Sequence, residues 1–525
     1  MFGFLSVSVT EEVQAQSTID FLIKRFTRKS KIKKLGKSLY GNGDRPPLED
    51  YRVDKDFEVI GYEPSWLIDN GEFNAHKFNL LTGLVVGEYD INPYSGLPRN
   101  GESFKNYEKS VVKYSKGVKK DIIAYSRLEI PRMKILWNLT YQNDFGAENM
   151  RLNWYRNLLT NREVHDVMID SLQNQFTQVG DKYGIPQNEL GIVVDFKEIS
   201  VQQLENLTDM LRHLRESIGE EYLIYLKIAP VVGQESFLTP EIITALKEDV
   251  GIDLFIVEAS RFDKYFGPAP TAYFFGEDNE ESIDSTVSYY LNNGITQQEM
   301  LVEFSYYGVA WEKNGDNPYV KRAHDTYVPN GEIMSYIPQS SPVPLSYDKD
   351  TTYAKLNVEE DGKITTYFYD NAYTLDTKYR YIADTMQLKG ISIYGLGYNS
   401  RKPTEGDDYW YAIVSGMGKK KSAWGWLVAS YLVAFIPLGF FFSVARYWQV
   451  RNVLAKERYK KYWNRFLIAF VIMTLISVIV MDIIFFLPRD GVGLIIGAII
   501  VGFFVAYMLI RRYMNKVRKY TKYVK

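Results

Sequence analysis

The sequence predicts an α/β protein: a (β/α)8 TIM barrel with a small α+β insertion between strands 7 and 8, followed by three transmembrane helices. Eight short runs rich in Val, Ile and Tyr occur between residues 57 and 400, and several are separated by stretches of helical periodicity. A hairpin pattern lies between the last two of these runs. Three apolar runs, each of about 20 residues, close the chain.

The eight predicted strands are the runs 57–66, 78–90, 132–140, 190–198, 221–232, 252–263, 300–311 and 389–400. Helical periodicity is clearest in residues 163–184 and 201–218. Buried strands that alternate with helices are typical of a closed barrel, in which chemistry takes place at the carboxyl ends of the strands. We therefore predict a barrel domain from residue 55 to 418 with its site at that end.

An insertion domain is predicted at about residues 325–385, between the seventh and eighth strands. The segment "VEEDGKI" places Asp361-Gly362 between two runs of alternating polar and apolar residues. Asp-Gly in that setting favours a β-hairpin.

Charge divides the chain into three parts. From residue 419 onward there are 18 Lys and Arg against three Asp and Glu, residues 1–38 hold eight against three, and residues 39–418 hold 36 against 58. The acidic body argues against nucleic acid as a partner, since nucleic acid binds basic patches. The basic ends suit anionic lipid headgroups, so a lipid bilayer is an expected partner.

The N-terminal segment 1–54 is interpreted as a basic segment with an atypical or remnant export signal.

The C-terminal domain, 419–525, is predicted to span a membrane with helices at about 424–445, 466–487 and 492–510. Lys and Arg are concentrated in the loop 446–465 and in the tail after 510, which the positive-inside rule places in the cytoplasm. The barrel then lies on the other side, in the periplasm if the membrane is a bacterial inner membrane. Asp482 lies inside the second span and is a functional candidate, although a carboxylate so near the interface more often pairs or snorkels.

The chain has no cysteine, which excludes disulfides, thiol catalysis and cysteine metal sites. Its four histidines are widely separated, and neither H-E-x-x-H nor a P-loop motif occurs. We therefore expect no metal and no cofactor.

A family resemblance is carried by the end of the barrel. "EFSYYGVAW" (303–311) is similar to the seventh-strand motif Gly-Ile-Pro-Tyr-Tyr-Gly-Arg-Ala-Trp of family 18 glycoside hydrolases. "PLSYDKDTTYAKL", "TYFYDNAYTLDTKYRYI" and "KGISIYGLGYNS" follow the same family from its insertion to its eighth strand. The chain thus resembles these chitinase-like barrels over residues 55–415. The resemblance implies a fourth strand ending in D-x-x-D-x-D-x-E, whose Glu protonates the glycosidic oxygen while the preceding Asp orients the attacking N-acetyl group of the substrate.

This chain departs from that motif in "GIVVDFKEIS" (191–200). The resemblance places Val193 at the middle Asp, Asp195 at the Asp before the acid, and Lys197 at the acid itself. Lysine, with a pKa near 10.4, is poorly suited to donate this proton. Glu198 is one residue out of register and serves as a fallback acid if a β-bulge turns it inward. The resemblance therefore implies no catalytic residue and a pseudoenzyme.

Charged and aromatic residues predict how the opening at the carboxyl end of the barrel, the barrel mouth, is filled. We expect Lys197 to be held by Asp195 and by Glu258 or Glu303, because a buried ammonium needs partners. The alternative is that these residues are solvated charges at loop edges. The predicted ligand-binding residues are Glu258, Arg261, Glu303, Tyr306, Tyr307, Trp311 and Tyr394.

The expected function is that of a membrane-anchored pseudo-glycosidase outside the cytoplasm. It would bind peptidoglycan or another amino-sugar glycan, or join other envelope proteins in a secretion or trans-envelope assembly. The alternative is an active glycosidase that hydrolyses N-acetylglucosamine polymers with Glu198 or another group as the acid. A third possibility is a transporter or energised machine that uses Asp482.

Overall fold

The computed structural model describes residues 47–63, 76–99, 101–108, 112–114, 118–141, 148–196, 199, 203–231, 238–259, 282–314, 317–322, 328–336, 347–348, 352–360, 363–399 and 407–421. The chain divides into two compact units, Met1–Lys420 and Lys421–Lys525, and the first is described below. The three predicted spans, with Asp482, and the N-terminal segment before residue 47 lie outside these ranges. Within them, no helix is both long enough and apolar enough to cross a membrane.

Eight parallel strands close into a barrel, which confirms the predicted eight-stranded barrel. In chain order these strands are β2, β3, β6, β7, β8, β9, β10 and β17; each pairs with the next, and β17 closes onto β2. Each contains part of one of the eight predicted runs. The described strands are β1 Tyr51–Val53, β2 Glu58–Tyr62, β3 Gly83–Asp90, β4 Val112–Tyr114, β5 Val118–Lys120, β6 Lys134–Tyr141, β7 Leu190–Phe196, β8 Leu223–Ile228, β9 Leu254–Glu258, β10 Met300–Ser305, β11 Tyr307–Asn314, β12 Asn317–Arg322, β13 Val328–Pro329, β14 Tyr347–Asp348, β15 Tyr353–Glu360, β16 Lys363–Tyr369, β17 Gly390–Tyr394 and β18 Gly418–Lys420.

Helices follow most of the barrel strands and cover the outside of the barrel. The long helix α4 begins after Asn161, whose side chain accepts from the Glu163 N–H, and ends at Gly184, which has a positive φ of 64°. Between these caps one apolar face is buried against the barrel. The described helices are α1 Gly101–Phe104, α2 Ile122–Glu129, α3 Glu148–Thr160, α4 Arg162–Tyr183, α5 Leu204–Ile218, α6 Pro240–Glu248, α7 Ile283–Asn292, α8 Asn330–Ser335, α9 Ala372–Tyr381 and α10 Asp407–Met417.

Barrel strands are buried on both faces, because one face packs on the helices and the other fills the barrel. Along β7, six of seven residues are buried for this reason. Gly191 of β7 lies so close to Leu223 of β8 that a Cβ would collide with the Leu223 backbone carbonyl. The apolar side chains that fill the barrel are Ile60, Tyr62, Val85, Leu136, Val193, Tyr225, Leu254, Ile256 and Leu301.

An antiparallel sheet lies between the seventh and eighth barrel strands, with β12, β11, β16, β15 and β14 as neighbours. β15 and β16 pair with Glu360 opposite Lys363, as a hairpin requires, while the predicted turn Asp361-Gly362 lies outside the described residues. The sheet contains strands from β11 to β16, and β11 lies before residue 325. The reason is that the predicted strand 300–311 is two strands: β10 stays in the barrel, and β11 leaves it to pair with β16.

A short antiparallel ladder joins the two ends of this unit. β1 pairs with β18, with Tyr51 opposite Lys420, and the Asp54 N–H donates to the Met417 carbonyl at 2.8 Å. The Lys419 ammonium also lies 2.9 Å from the Asp54 carboxylate.

Candidate functional site

Charged and aromatic side chains meet inside the carboxyl end of the barrel. Successive side chains of a strand alternate between its two faces, so every second residue points inward. Near this end, inward positions carry charged or tyrosine side chains on seven of the eight strands. We call this set the mouth cluster: Tyr62, Glu88, Asp195, Lys227, Glu258, Glu303 and Tyr394.

Lys227 of β8 is the centre of the mouth cluster. Its Nζ lies 2.7 Å from Glu303 Oε2 and 3.2 Å from Asp195 Oδ2, and all three side chains are buried. Burial by itself lowers the pKa of Lys227, but the negative charges of Asp195, Glu303 and Glu258 outweigh it and raise that pKa. Lys227 therefore remains an ammonium at any working pH.

The ammonium that lies between Asp195 and Glu303 belongs to the fifth strand and was not predicted. Sequence analysis expected Lys197 to be held by Asp195 and by Glu258 or Glu303. Lys197 and Glu198 lie outside the described residues, so that pairing stays a prediction. The sequence carried a signal for Lys227: it follows the inward-facing Tyr225 by two residues, so it also faces inward.

Glu88 of β3 is a buried carboxyl group with an unusual environment, and sequence analysis missed it. The register between β3 and β6 shifts between Val85 and Glu88, a strand irregularity that helps to set where the carboxyl points. The Tyr62 hydroxyl donates a hydrogen bond to Glu88 Oε1. Desolvation by burial raises the pKa of Glu88, and the nearby charges of Asp195 and Asp90 act in the same direction.

Two tyrosines of the mouth cluster, together with Tyr307 beside it, form an aromatic surface. The ring of Tyr394 stacks on that of Tyr62 with centroids 4.6 Å apart and an interplanar angle of 12°, and Tyr307 meets Tyr394 edge-on at 5.9 Å. The Lys227 ammonium lies 5.6 Å from the Tyr62 ring and 5.5 Å from the Tyr394 ring. Tyr394 is half-buried, so part of its surface is open to a ligand.

The remaining predicted site residues fall in different places. Val193 is buried in the barrel interior, and Glu258 ends β9 in register with Glu303. Trp311 lies half-buried on β11, outside the barrel. Tyr306 is fully buried with its ring against that of Tyr409, so it packs rather than faces the mouth. Four of the predicted residues are outside the described ranges: Lys197, Glu198, Arg261 and Asp482.

The opposite, amino end of the barrel carries a second ionic group. Lys134 Nζ lies 2.6 Å from Glu58 Oε1 and 3.2 Å from the Tyr225 hydroxyl. Apolar side chains such as Val193 and Ile256 lie between the two ends. Since active sites of this architecture lie at the carboxyl end, we assign a structural role to the Lys134 group.

The mouth cluster combines four carboxyl groups with one ammonium and an aromatic surface. Such a set can bind a sugar ring, donate a proton and stabilise positive charge. Over the residues that the structure covers, no group of three or more His, Asp or Glu side chains is arranged to hold a metal ion.

Comparison with known proteins identifies the family. The family model described as "Glycosyl hydrolases family 18" matches residues 59–399, more than half of the chain. No curated protein matches its sequence. A Group IV chitinase of Ostrinia furnacalis is similar in structure, with 14% identity, 69% of this chain and 98% of the other covered, and a TM-score of 0.52. A chitinase of Cycas revoluta in complex with (GlcNAc)4 has 17% identity, coverage of 68% and 98%, and a TM-score of 0.51. The spore cortex-lytic enzyme SleL of Bacillus cereus has 15% identity, coverage of 70% and 76%, and a TM-score of 0.45.

These findings overturn the expectation that the barrel is not an enzyme. That expectation depended mainly on the register that places Lys197 at the acid, and the family match points to a glycoside hydrolase. The barrel mouth also holds several carboxyl groups besides the fourth-strand position on which the expectation was built. The chain belongs to glycosyl hydrolases family 18.

Proposed function

We propose that this protein is a glycoside hydrolase that cleaves polymers containing N-acetylglucosamine. The observation that carries the proposal is the convergence of Glu88, Asp195, Glu258 and Glu303 at the carboxyl end of a family 18 barrel. Hydrolysis of a glycosidic bond requires a carboxyl group that protonates the leaving oxygen and negative charge that stabilises the oxocarbenium-like transition state.

Asp195 is the group that we assign to the substrate. It is the fourth-strand carboxylate that the family resemblance places just before the acid, where it orients the N-acetyl group. The Lys227 ammonium 3.2 Å away supports its ionised form. A fixed negative charge in a buried mouth stabilises the positive charge that develops on the sugar ring more strongly than the same charge in water.

Two carboxyl groups are candidates for the proton donor. Glu88 is supported by its raised pKa, because a general acid works best when its pKa is near the working pH. Glu198 is supported by its position in the chain, one residue beyond Lys197, the residue that the resemblance places at the acid. The two candidates make different predictions for single variants.

The aromatic surface supports binding of a sugar ring. Tyr394 stands where the family has a tryptophan beneath the substrate, and its stacking on Tyr62 holds the ring rigidly. A structural relative from Cycas revoluta was crystallised with (GlcNAc)4. We therefore take this tetramer as the first test substrate and peptidoglycan as the second.

The test is hydrolysis by the full-length protein and its variants Asp195→Asn, Glu88→Gln and Glu198→Gln. We expect Asp195→Asn to lower kcat by about 100-fold or more, as the loss of one preorganised electrostatic group does in other enzymes. The variant of the true proton donor should lose a similar factor, and leaving-group-activated fluorogenic substrates should recover much of it. The proposal is wrong if the wild-type protein cleaves neither substrate, or if Asp195→Asn cleaves them as fast as the wild type.

We further propose that the barrel faces the outside of a bacterial inner membrane, as the basic loops near the C-terminus suggest. Because the chain has no cysteine, single cysteines can report topology without background. A cysteine in the barrel, at Ser335, should react with a membrane-impermeant maleimide in spheroplasts, and one in the tail, at Thr521, should not. The reverse pattern would contradict this orientation. Association with other envelope proteins remains a prediction, which co-purification from native membranes would test.

A further inference from the structure

Two lysines lie inside the barrel, one at each end. Lys134 at the amino end pairs with Glu58, and Lys227 at the carboxyl end pairs with Asp195 and Glu303. Burying an ammonium is costly unless it is paired, so both need their carboxylates. They differ in location, since only Lys227 lies among the groups of the proposed catalytic site.

Asp195 has a polar partner on the neighbouring strand. Val193, two residues earlier on the same face of β7, is apolar and buried. β7 and β8 pair with Val193 opposite Tyr225, and the same register carried two residues further brings Asp195 beside Lys227. The ion pair at 3.2 Å is the result.

Among the described residues, the charged and titratable neighbours of Lys227 each come from a separate strand of the barrel. Asp195 comes from β7 and Glu303 from β10, and Glu258 at the end of β9 adds a third negative charge. Glu88 of β3 interacts with Lys227 at longer range, while Tyr62 and Tyr394 present their ring faces to it. One ammonium therefore fixes groups from six strands.

We propose that Lys227 is a positioning residue of the proposed hydrolase: it holds Asp195 as an oriented carboxylate and does not itself contact the reacting bond. The proposal rests on the hydrolase function proposed above. Without this ammonium, Asp195, Glu258 and Glu303 would face one another as like charges in a buried space, and protons would bind to relieve the repulsion. A protonated Asp195 can neither stabilise an oxocarbenium-like charge nor keep a single orientation.

The readout is the acid limb of the pH–rate profile, which is the loss of activity towards low pH. A lysine with a merely structural role would not determine the position of this limb. Lys227→Met should shift this limb to higher pH by about one to three units, the usual effect of an opposite charge at this distance. It should also lower kcat about 100-fold near neutral pH with a small change in KM, because a misplaced reacting group costs that much. Lys227→Arg, which keeps the charge, should return the limb close to its wild-type position.

The matched control is Lys134→Met, which removes the paired, half-buried lysine at the other end of the barrel. It should lower the midpoint of urea unfolding and leave the acid limb where it is. An unshifted limb in a folded Lys227→Met protein would overturn the proposal, and so would an equal shift in Lys134→Met. Should Lys227→Met fail to fold, Lys227→Gln is measured in its place.

A second readout separates this proposal from the proposed function. The affinity for (GlcNAc)4 is measured by calorimetry across pH for the full-length wild type and the same variants. If the wild type binds the tetramer without cleaving it, the hydrolase function falls, and the pH dependence of binding still decides the role of Lys227. If it neither binds nor cleaves the tetramer or peptidoglycan, both proposals fall.

Discussion

Replacing Tyr62 with Phe should make Glu88 still harder to ionise. The substitution removes the hydroxyl that donates to Glu88 and keeps the ring that stacks on Tyr394. A hydrogen bond to a charged group is worth about 1.5–3 kcal/mol, and one pKa unit corresponds to about 1.36 kcal/mol. The pKa of Glu88, already raised by burial, should therefore rise by about one to two units more.

The direction of the effect on activity tells what Glu88 does. If Glu88 donates the proton, activity is lost as pH rises through its pKa, so Tyr62→Phe should move the basic limb of the pH–rate profile to higher pH. Stability follows the same sign. Because the folded-state pKa lies above the ordinary value of 4.5, protonated Glu88 favours the folded state at low pH, and this contribution is lost as pH rises through the folded-state pKa.

The assay is a pH–rate profile with (GlcNAc)4, accompanied by urea unfolding at each pH. The control is Tyr225→Phe, which removes a buried hydroxyl that bonds to Lys134 at the amino end of the barrel. It should lower stability without moving either limb. Identical limbs together with an identical pH dependence of stability in wild type and Tyr62→Phe would refute the coupling between this hydroxyl and Glu88.

Three further predictions concern what holds the barrel together. Lys378→Met should lower the free energy of unfolding by about 3–5 kcal/mol, because its Nζ lies 2.6 and 2.8 Å from the two oxygens of buried Asp370, which would be left uncompensated. Gly191→Ala should abolish or severely reduce folding, because its methyl would collide with the backbone of β8. Arg215→Met should cost about 3 kcal/mol or more, because the buried guanidinium donates to several backbone carbonyls and, at 3.0 Å, to Asp253. All three are measured by urea unfolding followed by circular dichroism.

Each of these variants has a matched control in the same chain. Asp370→Asn combined with Lys378→Met should cost less than Lys378→Met alone, since no buried charge is then left unpaired. Gly101→Ala should be nearly silent, because a Cβ there meets nothing within 4 Å. Arg212→Met removes exposed ion pairs to Asp209 and Asp249 and should cost less than about 1 kcal/mol. A control as damaging as its partner would contradict the stated cause.

The barrel could be predicted because its strands are buried on both faces and therefore read as apolar runs between helices. The hairpin at Asp361-Gly362 could be predicted because this dipeptide suits a tight turn between alternating strands. The split of 300–311 into β10 and β11 could not, because one continuous apolar run does not reveal where a chain leaves the barrel.

The mouth cluster was predicted only in part. Asp195 and Glu303 were named, and strand alternation alone would have excluded Tyr306, which has the opposite parity to Glu303. The contact between Lys227 and Glu303 could not be predicted, because it reaches past β9 to a strand that is not a neighbour of β8, and strand pairing says nothing about contacts across the lumen. Glu88 was missed because a register shift in β3 precedes it.

The ladder between β1 and β18 has a practical consequence. Because the first and last strands that the structure describes lie side by side, with Tyr51 opposite Lys420, a short peptide linker could join them. A segment that runs from Tyr51 to Lys420 could then be opened at a surface loop by circular permutation, which tolerates such sites. Fusion of this segment to other modules would need both junctions at one place on its surface.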